Sequence, residues 1–129
     1  MWKRWIPLLL LCLAGCSPAG ERGDAAADVA MRLLSSVQSE DGAAACATLA
    51  PDTLAEIESD GQPCASAILD EDLPSPGEVT GTEVYGQWAQ VRLSGDTMFL
   101  AAFPGGWRVV AAGCTARGER PYDCVVKGG

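Results

Sequence analysis

The hydrophobic pattern of the chain changes at residues 70–77, which read Asp-Glu-Asp-Leu-Pro-Ser-Pro-Gly. A run of acidic residues followed by two prolines and a glycine is typical of neither helix nor strand. Before this segment apolar residues recur at helical spacing, and after it they alternate as they do in strands. Because helices precede a series of strands, we predict an α+β domain. Its N-terminal helices should pack on one face of a curved antiparallel sheet of four or five strands.

The first helical pattern upstream of this break covers residues 24–39. Val29, Leu33 and Val37 recur there at four-residue intervals and form an apolar stripe. Gly42 follows the pattern and is a candidate for the end of this helix, since glycine is common just after helix ends.

Three shorter helical segments are predicted between this helix and the break. Asp41 is a candidate N-cap for residues 43–49. Pro51 suits the first position of the next segment, because a missing N–H has no consequence there. Residues 63–69 form a further turn or two. Helices this short are not stable alone and need support from the rest of the fold.

The part of the chain after the break alternates like a meander of antiparallel strands. Residues 97–103 are nearly all apolar, which predicts a central strand buried on both sides. Arg117, Glu119 and Arg120 are predicted to lie in a loop before the last strand. The predicted strands are residues 78–85, 88–93, 97–103, 107–113 and 122–127.

The N-terminal segment has the three parts of an export signal. Lys3 and Arg4 precede an apolar run over residues 5–13, and the small residues Ala14 and Gly15 follow it. The run is too short to span a membrane, which takes roughly 20 apolar residues.

The last four residues of this segment, Leu13-Ala14-Gly15-Cys16, resemble the lipobox of bacterial lipoproteins. The resemblance implies cleavage before Cys16, a diacylglycerol thioether on its sulfur, and a fatty acyl group such as palmitate on the new amino terminus. It therefore predicts a signal peptide at 1–15. The Ser, Pro, Gly and charged residues that follow predict a flexible tether at 16–23, and the remaining length fits one domain at 24–129. That domain would be held on the extracytoplasmic face of the cell membrane. The alternative is an ordinary signal peptide, cleaved elsewhere, with Cys16 as a spare thiol.

Four cysteines remain when Cys12 in the apolar run and the lipid-bearing Cys16 are set aside. An even number in an exported domain predicts two disulfides, and three pairings are open. We favour the pairs that are close in sequence. A zinc or thioredoxin-like site is disfavoured because the chain has no C-x2-C spacing and no histidine. The favoured pairs are Cys46–Cys64 and Cys114–Cys124.

Net charge narrows the classes of partner. The chain has 9 basic and 17 acidic residues, and Lys3 and Arg4 lie in the signal, so the mature form carries 7 − 17 = −10. This charge argues against nucleic acid, which selects basic surfaces. The expected contacts are the membrane, through the lipid, and an envelope protein or a small-molecule ligand. No other cofactor and no metal are predicted.

Residues 24–127 are similar to the cone-shaped fold shared by nuclear transport factor 2-like and SnoaL-like proteins. The first helix, the short helices and the late strand Gly105-Gly106-Trp107-Arg108-Val109-Val110 carry the resemblance. The chain is also similar in general form to small secreted lipoproteins of actinobacteria. The cone resemblance implies a pocket between sheet and helices, where enzymes of this fold use an Asp–His or a Tyr–Asp pair.

The candidate pocket residues are Tyr85, Trp88 and Trp107. Asp96 is interpreted as a turn residue, and no catalytic residue is assigned because histidine is absent and no catalytic motif is present. We therefore predict a non-catalytic binding or interaction domain. The alternatives are a small SnoaL-like enzyme that uses a tyrosine or carboxylate in the cone, and a regulatory lipoprotein that docks on a membrane protein.

Overall fold

The helices end at the segment of residues 70–77, and the strands begin after it. The computed structural model describes residues 19–128, so the predicted signal peptide, Cys16 and the first residues of the tether lie outside the described residues. The α-helices are α1 (Ala19–Gln38), α2 (Gly42–Cys46), α3 (Pro51–Ile57) and α4 (Cys64–Ala67), and a 3₁₀ turn covers Ile68–Asp70. The strands are β1 (Val79–Tyr85), β2 (Trp88–Leu93), β3 (Asp96–Phe103), β4 (Gly106–Arg117) and β5 (Arg120–Lys127).

The predicted α+β class is confirmed. The five strands form one open antiparallel sheet in the order β1-β2-β3-β4-β5, and the helices pack against it. We call the side of the sheet that faces α1 the near face and the opposite side the far face. None of the helices within residues 19–128 combines the length and apolar character needed to cross a bilayer.

The hydrophobic core lies between α1 and the near face. Leu33 of α1 is fully buried, and burying one leucine side chain contributes about 2 kcal/mol to folding. The largest buried apolar side chains come from both halves of the chain and are Leu33, Leu34, Ile68, Val91, Met98, Leu100, Val109 and Val126.

The first helix starts earlier than the sequence predicts. Residues 19–23, which were expected in the flexible tether, are the first residues of α1. Arg22 donates a hydrogen bond to the carbonyl of Gly86 at 2.6 Å, and Gly23 is buried beside Thr82 of β1. Contacts with the sheet therefore stabilise a segment whose composition alone suggests a linker.

The predicted stop at Gly42 is wrong. The first helix ends at Gln38, and Gly42 is the first residue of α2. A side chain at Gly42 would overlap the backbone carbonyl of Ala65 in α4. The glycine is therefore required by the close approach of two helices and not by a helix end.

Two predicted features of the short helices are confirmed, an N-cap and a disulfide. The side chain of Asp41 accepts a hydrogen bond from the amide of Ala44, which confirms it as the N-cap of α2. The disulfide Cys46–Cys64 joins α2 to α4. A covalent link holds together two helices that are too short to persist alone.

The chain between α2 and α3 joins the sheet through β4. The amide of Val109 donates to the carbonyl of Thr48, and the amide of Ala50 donates to the carbonyl of Val109, both at 2.8 Å. Leu49 thus forms a parallel bridge with Val109, which fixes the connection between α2 and α3 to β4.

The strands agree with the prediction except at two points. The alternation of β2 is confirmed, but β3 is not buried on both sides, since Thr97 and Phe99 on the far face are only half-buried. The predicted loop around Arg117 and Arg120 is instead the end of a long β4–β5 hairpin. The second predicted disulfide, Cys114–Cys124, is confirmed and lies between directly paired residues of that hairpin.

Candidate functional site

Strand register places a cluster of aromatic and polar side chains on the far face. Ala89, Val91 and Leu93 of β2 are buried against the core, so the alternate residues of β2 point away from α1. Residues paired across an antiparallel ladder share a face, which extends the set to neighbouring strands. The far-face cluster consists of Glu83, Tyr85, Trp88, Gln90, Arg92, Phe99, Phe103 and Tyr122.

Tyr85 and Trp88 are the most exposed members of the far-face cluster. They are directly paired at the end of the β1–β2 hairpin, and 58% and 55% of their surfaces are accessible. Large aromatic side chains with this exposure are enriched in protein interfaces, where they contribute much of the binding free energy.

A polar triad orients Tyr85. Its hydroxyl donates to the carboxylate of Glu83, and Glu83 also accepts from the guanidinium of Arg92 at 2.9 Å. The hydrogen bond from Tyr85, followed by the one from Arg92, lowers the pKa of Glu83 below its ordinary value. The same bond to Glu83 raises the pKa of Tyr85. Glu83 is thus an anion and Tyr85 a neutral donor at neutral pH.

A second aromatic contact covers the other end of the far-face cluster. The rings of Phe99 and Tyr122 meet edge to face with centroids 5.0 Å apart. The side-chain amide of Gln90 donates a hydrogen bond to the hydroxyl of Tyr122 at 3.4 Å. These contacts hold β5 against β2 and β3 side chains and leave Tyr122 partly accessible.

An apolar cavity of about 480 Å³ opens beside Trp88. Ala101, Phe103 and Val110 of the sheet line it, and the start of α3 at Pro51 closes one side. Thr53 is fully buried at its edge, where the hydroxyl donates to the carbonyl of Val110 at 2.9 Å. The cavity is large enough for an apolar side chain or a small ligand.

Trp107, the third predicted pocket residue, lies on the near face and lines a different cleft. This cleft of about 350 Å³ runs between α1 and the β3–β4 turn. The guanidinium of Arg22 lies 5.3 Å from the centroid of the Trp107 ring. The structure therefore brings Tyr85 and Trp88 together and separates both from Trp107.

The most buried carboxylate is Asp96, whose place after Ser94-Gly95 predicts a turn residue. Its two oxygens accept the backbone amides of Gly113 at 3.1 Å and Cys114 at 3.0 Å. Burial raises the pKa of Asp96, while hydrogen bonds from Gly113, Cys114 and Thr97 act in the opposite direction. The position just after Ser94-Gly95 carries no sequence signal that separates a turn aspartate from this buried acceptor.

The described residues offer neither a cluster of metal ligands nor a free thiol. Over residues 19–128, no group of three or more histidine, cysteine, aspartate and glutamate side chains is placed to hold a metal ion. The cysteines at 46, 64, 114 and 124 are all joined in disulfides and supply no nucleophilic thiol.

Comparison with known proteins adds no assignment: no family model, curated protein or solved structure matches the chain.

Proposed function

We propose that this chain is a lipid-anchored bacterial envelope protein whose domain binds a partner without catalysing a reaction. The lipobox pattern ending at Cys16 supports an anchor on the extracytoplasmic face of the cell membrane. The two disulfides support an oxidising compartment, because thiols are kept reduced in the cytosol. Two acyl chains on a diacylglycerol anchor a protein more firmly than the marginal binding of one chain.

The observation that carries the binding role is the exposed pair of Tyr85 and Trp88 beside an apolar cavity. We propose that an envelope protein docks on the far-face cluster and inserts an apolar side chain next to Trp88. The triad of Glu83, Tyr85 and Arg92 supports this role, because an aromatic ring held in place loses little conformational entropy on binding.

The main alternative, a small enzyme, would need an acid or base that is free to exchange protons with a substrate. The buried carboxylate of Asp96 has both oxygens occupied by backbone amides, which supports a structural role. The cone-like form of nuclear transport factor 2-like proteins stays part of our proposal. It is supported by helices packed against an open sheet with bulges in β1, β3–β4 and β4–β5.

Photo-crosslinking in whole cells tests the binding surface. A photoreactive phenylalanine analogue replaces Trp88 in one variant and Ser35, an exposed residue of α1, in the control. We expect a discrete protein adduct from position 88 that is absent from position 35, and Tyr85→Ala should weaken it. Equal adducts from both positions, or none from position 88, would contradict the proposal.

A further inference from the structure

The cleft around Trp107 concentrates positive charge in a strongly acidic chain. All 17 acidic residues but only 7 of the basic residues lie in residues 19–128, so this part carries 7 − 17 = −10. Arg32 and Arg108 line the cleft, and Asp28 is the one acid in its lining. A third basic residue, Arg22, lies over the ring of Trp107. The local charge is therefore opposite in sign to that of the domain.

Two of these arginines are positioned by neutral groups. Arg22 donates to the carbonyl of Gly86 and lies over the ring of Trp107, and Arg108 donates to the carbonyl of Ala47 at 2.9 Å. Both side chains are half-buried. Among the described residues neither has a carboxylate within 4 Å, and the ion pair formed by those residues is Arg92–Glu83. A guanidinium has five N–H donors, so each keeps donors for another acceptor.

The walls of the cleft supply an apolar surface next to these charges. Trp107 of β4 and Val29 of α1 both line it. Gly105 and Gly106 also line it, with φ values of 97° and 132° that residues other than glycine rarely adopt. These two positions of the turn therefore add no side chain to the lining of the cleft.

We infer that this cleft binds a small organic anion that joins an oxyanion group to a flat apolar part. The oxyanion would accept hydrogen bonds from the guanidinium groups of Arg22 and Arg108, whose forked donors match carboxylate and phosphate oxygens. The apolar part would lie along Trp107 and Val29. Arg108 starts from the far side of β4, since it pairs with Ala101, but the cleft is lined by α1 and Trp107 and shares no lining residue with the far-face cluster. The inference therefore does not depend on the proposed partner.

Tryptophan fluorescence of the full-length protein tests this site. Trp2 and Trp5 are replaced by phenylalanine, so that emission comes from Trp88 and Trp107. Benzoate and phenyl phosphate serve as anionic probes and benzamide as the neutral probe of similar shape. We expect saturable quenching by at least one anion, weaker at high salt, and none by benzamide. Trp107→Phe should abolish the signal and Trp88→Phe should keep it.

Arginine variants locate the charge contact. Arg108→Gln should weaken anion binding by about tenfold or more, Arg108→Lys should weaken it less, and Arg117→Gln at the far end of β4 should leave it unchanged. Arg22→Gln gives a second test if circular dichroism shows that the variant is folded. The inference is overturned if neither anion binds, if benzamide binds equally well, or if Arg108→Gln binds the anions as tightly as the unchanged protein.

Discussion

The carboxylate of Asp96, at the start of β3, accepts the backbone amide of Cys114 on β4 at a distance of 3.0 Å. Its other oxygen accepts the amide of Gly113, whose φ of 65° marks an irregular point in the strand. One side chain therefore satisfies two amides at a place where the regular ladder between β3 and β4 is interrupted. Cys114 is also half of a disulfide, so the acid and the covalent link fix the same part of the sheet.

We expect Asp96→Ala to destabilise the fold by about 3 kcal/mol, because it leaves the buried amide of Cys114 and the partly buried amide of Gly113 without an acceptor. Asp123→Ala, which changes an exposed aspartate of β5, should have an effect near zero. Urea unfolding followed by circular dichroism measures both. Equal stability of the two variants would show that the Asp96 hydrogen bonds contribute little.

The pH dependence of stability should also identify Asp96. Burial raises its folded-state pKa above the ordinary value of 3.8, so the folded protein holds this proton more tightly than the unfolded chain does. The stability that protonated Asp96 contributes is therefore complete below about 3.8 and is lost as the pH rises through the raised pKa. We expect this decline in the unaltered protein and in Asp123→Ala, and its absence in Asp96→Ala.

Removal of a disulfide should have an effect that depends on the length of chain it closes. Cys46–Cys64 spans 18 residues and Cys114–Cys124 spans 10. Chain entropy predicts a loss of about 3 kcal/mol for the double alanine variant of either pair, slightly more for Cys46–Cys64. Thermal unfolding compares the two variants.

Non-reducing peptide maps should show the same two pairs, and a Cys46–Cys114 peptide would contradict the structure.

Two glycine substitutions separate close packing from helix propensity. Gly42→Ala should destabilise the protein by more than about 2 kcal/mol, because the new methyl group overlaps the carbonyl of Ala65. Gly20→Ala, in the first turn of α1 with no atom within 4 Å, should be neutral or slightly stabilising. Chemical denaturation provides both values. A stable Gly42→Ala protein would mean that α2 and α4 can move apart freely.

The anchor can be tested without reference to the fold. Cys16→Ala should abolish palmitate labelling in bacterial cells and leave an unprocessed precursor, because the acyl acceptor is missing. Cys12→Ala, in the apolar run, is the matched control and should be labelled normally. Labelling that persists in Cys16→Ala would refute the lipobox assignment.

Some elements of the fold could be predicted because their residues alternate cleanly. In β2 the apolar set Ala89, Val91 and Leu93 defines the buried side without ambiguity. In β3 the far face carries Phe99 and Phe103, so the strand is a nearly continuous apolar run. Such a run predicts burial on both sides, although Phe99 is partly accessible. The early start of α1 depends on Arg22 meeting Gly86, a contact distant in sequence that no local pattern contains.

The separation of the predicted pocket residues follows from strand parity. Trp107 shares its side of β4 with Val109, which is fully buried against the helices, whereas Trp88 alternates with the buried Ala89. The same alternation was visible in the sequence, but the expectation of one pocket placed both tryptophans together. The cationic character of the Trp107 cleft could not be predicted, because Arg22, Arg32 and Arg108 are brought together by the docking of α1.

The parallel bridge between Leu49 and Val109 has a consequence for folding kinetics. Every strand pairs with its neighbour in sequence, so the hairpins can form early through short loops, whereas this bridge must close a long one. The transition state should therefore contain the sheet before the helices dock. Leu49→Ala should accelerate unfolding strongly and slow refolding little, which stopped-flow experiments would show as a φ-value near zero.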